Sequence, residues 1–62
     1  MEEYRRETVM VETLTAAIRT ALTCKPYERL GQLLINVTRG EDLFNIYDED
    51  IVAKLYAYVE DL

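Results

Sequence analysis

Tyr47, Asp48, Glu49 and Asp50 stand in succession late in the chain, and Tyr56 and Tyr58 follow within three helical turns. A run of carboxylates can hold a divalent cation, work as general acid and base, or face a basic partner. The first use needs alternating oxygen ligands around a glycine, and that spacing is missing here. The second needs a tunable companion group. The chain has no histidine, only two lysines (Lys25 and Lys54) that are expected to face solvent, and a single cysteine, Cys24, with no obvious base to activate it. Without histidine, zinc loses its commonest ligand sets. The sequence therefore predicts no enzyme, no metal and no cofactor, and Cys24 reads as a small buried thiol. The third use makes Tyr47, Asp48, Asp50, Tyr56 and Tyr58 the candidate partner-binding residues, because tyrosine brings contact area with a polar tip. The plainer reading is that the acids open a helix and the tyrosines complete a core or a dimer seam.

Charge is divided along the chain. Residues 1–39 carry six basic side chains against five acidic ones, a balance of +1; residues 40–62 carry Lys54 alone against seven acids, a balance of −6. An acidic end of this kind repels phosphate backbones and favours a basic protein partner, so nucleic acid is not the expected ligand. The opening stretch is charged and lacks the apolar core of a signal peptide, and no run reaches the ~20 apolar residues of a membrane span. A cytoplasmic setting follows, consistent with an unpaired cysteine. Asn36-Val37-Thr38 matches a glycosylation pattern by chance on this reading.

A chain of 62 residues buries only about 60% of the surface its unfolded form exposes. Small chains add disulfides, a metal or another subunit. One cysteine cannot form an internal bridge, so further copies of the chain, in a homodimer or higher homo-oligomer, are the expected source of extra burial; a self-sufficient helical monomer is the plainer reading.

Three helices must position these groups. The first is expected over 3–23, with Val11, Leu14, Ile18 and Ala21 at alternating three- and four-residue steps, Met10, Ala17 and Leu22 widening the stripe, and Tyr4 starting it. Glu2, Glu3 and Glu7 suit its positive end. Its five threonines lower its propensity, so packing must hold it. Lys25-Pro26 breaks the chain, and proline as a first helical residue predicts a second helix over 26–39, forming a hairpin with the first. Tyr27, Leu30, Leu34 and Val37 are its core candidates, with Leu33 beside them, and Gly40 is the left-handed residue that ends it. Gly31 costs about 1 kcal/mol relative to alanine; close approach of a neighbouring helix or ring would explain it, and a tolerated solvent-facing glycine is the plainer reading. Val11, Leu14, Ile18 and Gly31 are therefore the candidate self-contact. Residues 41–47 read as an extended connector folding Leu43, Phe44 and Ile46 over the core. The third helix is expected over 48–61, with Asp48 as N-cap, Tyr47 packing back, and Ile51, Leu55, Tyr58, Val59 and Leu62 on one face.

The residues Pro26, Arg29, Gly31, Gln32, Leu33 and Asn36, then Asp42, Phe44, Asp48, Glu49, Asp50 and Leu55, resemble the pattern of a group of short uncharacterised phage and mobile-element proteins. The likeness covers rather more than half of the chain and departs at Phe44-Asn45-Ile46-Tyr47, where members often carry Phe-Tyr before the acidic pair. It implies a phage or mobile-element setting, hence a host cytoplasm, and that Arg29, Gln32 and Asn36 form a set. Their i, i+3 and i+4 spacing puts the three on one side of a helix. There they would bond the connector backbone, Arg29 pairing with Asp42 or Asp48, or form an exposed recognition stripe.

The expected protein is thus all-α, a helical hairpin plus a C-terminal helix completed by homodimerisation. Its expected role is stoichiometric binding to a host protein, for example as an anti-defence or replication modulator, with an acidic surface that imitates DNA as one form. Two alternatives stand beside it: a helix-turn-helix-like DNA-binding regulator, in which a dimer pools Arg5, Arg6 and Arg19, and a structural component of a larger assembly.

Overall fold

A computed structural model describes residues 5–60, and these form three α-helices. The first, α1, runs Thr8–Cys24, later than the expected start; residues 3 and 4, with Glu2, Glu3 and Tyr4, lie outside the described residues. Glu7 is extended at the N-cap position and makes no side-chain cap. Arginines at the positive end of a helix are unfavourable, and Arg6 instead leaves the axis to reach Asp48. Along α1, Thr13, Thr15, Thr20 and Thr23 each donate to the carbonyl four residues back, at 2.7–2.8 Å. The hydroxyls are satisfied locally, at the expense of helix propensity.

Pro26 does not open the second helix. The Glu28 amide donates to the Lys25 carbonyl at 3.1 Å, which makes Lys25 to Glu28 a turn with proline at its second position, where a fixed φ serves as well as at a helix start. Helix α2 is accordingly shorter, Leu30–Thr38. Tyr27, expected in the core, falls in that turn and is 97% exposed. Leu33, expected at the side of the face, is fully buried with Val37 and Thr38, whereas Leu30 is exposed. The helix ends on Arg39 in the left-handed region (φ 55°), and Gly40 follows at φ 82°. Both amides donate to the Ile35 carbonyl, so the expected left-handed ending is present but begins one residue early. A Cβ added at Gly31 would meet no neighbouring group within 4 Å; within one chain the close-approach reading fails, and Gly31 faces solvent.

The connector is not extended. The Asp42 carboxylate accepts from the Phe44 amide at 3.0 Å and from Asn45 Nδ2 at 2.6 Å, and this local competition winds Leu43–Asn45 into a 3-10 turn. Leu43 and Phe44 consequently point outward, and Phe44 is 94% exposed; only Ile46 is half-buried. Helix α3 runs Asp48–Glu60. The Tyr47 carbonyl accepts the Asp50 and Ile51 amides, so Tyr47 holds the cap position expected of Asp48, and Tyr47 is exposed rather than packed back. Leu62 lies outside the described residues.

Helix α1 packs chiefly against α3. Contacts at both ends show the two running parallel: Arg6 meets Asp48 before one end, and Lys25 lies over the Tyr58 ring near the other. The α1–α2 hairpin expected from the short connection is the least extensive of the three pairings. The core consists of Ala17 and Ala21 from α1, Leu33 and Val37 from α2 and Leu55 from α3, flanked by Ile18, Leu22, Val52, Tyr58 and Val59. The two alanines let the helices approach closely. Nothing among residues 5–16 or 39–54 is buried. The core therefore ends where α2 ends.

Candidate interaction surfaces

The five residues expected to bind a partner do not form one surface. Tyr58 points inward. Its hydroxyl donates to both carboxylate oxygens of Glu28, at 3.1 and 2.9 Å, Asn36 Nδ2 donates to the same carboxylate at 2.8 Å, and Lys25 Nζ sits 4.7 Å from the ring centroid. The bond to Glu28, with burial and the carboxylate charge adding to it and Asn36 opposing, raises the Tyr58 pKa above its ordinary 10.0. This cluster ties the turn before α2 to the end of α3. Asn36 thus serves Glu28, not the connector backbone. Arg29 and Gln32 are exposed and make no side-chain hydrogen bond to another described residue, so the expected set of three does not converge. Glu28 escaped the sequence reading because Tyr58 stands 30 residues away and because Asn36, two helical turns on in the expected helix, comes within reach only once Glu28 leaves the helix for the turn before α2.

Tyr47 and Asp48 meet at the opposite end. Arg6 grips the Asp48 carboxylate as a fork, Nε to Oδ2 at 2.6 Å and Nη2 to Oδ1 at 3.1 Å. Asp48 is thereby neutralised, and its carboxylate is largely covered. Arg6, Asp48, Phe44, Asn45, Ile46 and Tyr47 line a hollow of about 330 Å³. Phe44 and Tyr47, 94% and 72% exposed, stand at it. Sequence reasoning missed both Arg6 and the exposure of Phe44.

Asp50 and Tyr56 lie on the outside of α3. Glu49, Ala53, Tyr56 and Glu60, spaced i, i+4, i+7 and i+11, share one face and are all exposed. No basic residue interrupts that stripe, because Lys54 turns away to meet Glu41 at 3.3 Å. Tyr56 is 38% exposed beside these acids.

Of the proposed self-contact residues, Val11 and Gly31 are exposed, while Leu14 and Ile18 are half-buried, Ile18 against the core. Gly31 and Val11 belong to different ends of the molecule. Cys24 is exposed, not buried, since it closes α1 beyond the last core position, Ala21. Among the described residues no group of three or more His, Cys, Asp or Glu could hold a metal ion, and no helix is long and apolar enough to cross a membrane. Compared with family models, curated proteins and solved structures, the chain has no significant match.

Proposed function

We propose that this chain is a small protein-binding factor, acting stoichiometrically as a homodimer on a basic partner protein. The observation that carries this reading is the α3 outer stripe, where Glu49 and Glu60 bracket Tyr56 at helical spacing on an exposed face. Asp50 on the same first turn extends its negative charge. A tyrosine among acids supplies the anchor and the steering that a basic surface recognises. The phage or mobile-element setting rests on the sequence resemblance alone, and a host protein of the cytoplasm is the target class it suggests. DNA mimicry by the acidic stripe is one form of the activity.

Affinity capture from host lysate with the tagged chain at moderate salt tests the proposal, with Tyr56→Ala and Glu49→Gln/Glu60→Gln versions alongside. A single basic protein recovered by the wild type, lost from both variants and weakened by added salt, is the expected result. Recovery unchanged in both variants overturns the stripe as the binding face.

A further inference from the structure

The α3 stripe leaves open how two copies would meet. On α1, Val11, Thr15, Ile18 and Leu22 follow one another at four-, three- and four-residue steps, the spacing of seam positions in a coiled coil. They lie beside the face on which Ala17 and Ala21 turn to the core. Val11 is 48% exposed and Thr15 is exposed, while Ile18 and Leu22 are half-buried, packed against the core with part of their surface still in water. Helix α2 pairs least with α1 and does not close this flank. The Thr15 hydroxyl donates to the Val11 carbonyl at 2.7 Å, so covering Thr15 strands no donor.

An apolar stripe alone does not say what covers it; the charges at its edge do. Glu12 and Arg19 each stand one residue past a seam position, Val11 and Ile18, on the same side of the stripe. Both are exposed, and neither makes a side-chain bond to another described residue. Seven residues apart, they are separated by about 10 Å along the axis and do not reach each other.

A second α1 laid antiparallel about a two-fold axis changes that. With Val11 against the partner's Leu22 and Thr15 against the partner's Ile18, the flanking positions of the two helices meet. Glu12 then faces the partner's Arg19, and the symmetry repeats the pair with the roles exchanged. A parallel arrangement would instead bring Glu7 of one copy toward the partner's Glu12, like against like, with the two helix dipoles aligned. The charge pattern is self-complementary in the antiparallel orientation.

We infer that the chain dimerises through α1, antiparallel, along the Val11, Thr15, Ile18 and Leu22 stripe, with a Glu12–Arg19 pair at each end of the rim. This rests on the homodimer proposed above and assigns its interface. Nothing on the α3 stripe takes part, and neither does Gly31. Four layers spanning about 17 Å make a small interface, so the association is weak and depends on concentration.

Sedimentation equilibrium of the full chain from micromolar to millimolar concentration tests the assignment. The variants are Glu12→Arg, Arg19→Glu, the double exchange Glu12→Arg/Arg19→Glu, Val11→Ser and Glu49→Gln/Glu60→Gln. The wild type should approach twice its chain mass of 7.3 kDa at the upper end. Each single reversal sets like charges against one another twice and should weaken the dimer about 10-fold, while the double exchange should return it to within about threefold of wild type. Val11→Ser should weaken it about 10-fold, since each dimer loses two apolar contacts. Glu49→Gln/Glu60→Gln should leave it unchanged. All these positions are exposed, so helical circular dichroism should be retained throughout. A dimer indifferent to the single reversals, or one that the double exchange fails to recover, overturns this interface and leaves the homodimer standing. A wild type that stays monomeric at all concentrations overturns both.

Discussion

At the end where α1 finishes, α2 lays Leu33 and Val37 across Ala17, Ala21 and Leu55, and every buried side chain of the described residues lies there. At the other end the same pair of parallel helices carries Met10, Leu14 and Ile51, which stay only half-buried beside a 3-10 turn. Apolar residues are present at both ends. What differs is the third helix: α2 has 9 residues against 17 in α1, about 13 Å against 25 Å of length. Helical amphipathicity supplies material for a core, and a third element turns it into one.

The sharpest way to break this comparison is to truncate one aliphatic residue from each end of α3. Leu55→Ala should cost about 2–5 kcal/mol, a large share of the stability of so small a chain. Ile51→Ala should cost about 1 kcal/mol, because less of its side chain leaves water on folding. Urea denaturation of both variants measures the difference, and equal losses would mean that the two ends are equally cored.

The smaller effect concerns the clasp at the cored end. Glu28 raises the Tyr58 pKa on folding, so the folded state holds that proton more tightly than the unfolded chain. The contribution is therefore complete below pH 10 and falls away as pH rises beyond it. Tyr58→Phe should be less stable than wild type at pH 8, and the gap between them should narrow as pH rises past 10. Thermal melts at both pH values check the sign; a gap that widens would contradict the clasp.

The all-α class and the three helices were legible because hydrophobic periodicity is set locally, and the stripe containing Ala17, Ala21 and Leu55 was legible for the same reason. The misreadings have specific causes. Proline fits the second position of a turn as well as the first turn of a helix, so Pro26 alone could not decide whether Tyr27 was core or solvent. Residues 41–47 held a readable signal that went unused: Asp42 two residues before Phe44 and three before Asn45 is the spacing of an aspartate-capped turn. The Arg6–Asp48 fork spans 42 residues, and the Tyr58–Glu28 bond spans 30. Neither has any local pattern, and both shape the surfaces that remain free. Tyr58 carried two readings in the sequence, as part of the packed face of the third helix and, with Tyr56, as a partner-binding residue; it packs against the core while Tyr56 is exposed, because two positions along a helix are 200° apart.

Amide hydrogen exchange on the full chain, at a dilute and a concentrated condition, tests the unequal ends most directly. The account predicts strong protection for amides of residues 17–24, 33–38 and 55–60 at both concentrations. It predicts weak protection for residues 10–16 and 51–54 when dilute. Uniform protection along α1 and α3 in the dilute sample would contradict it, because both ends would then be equally closed without a partner.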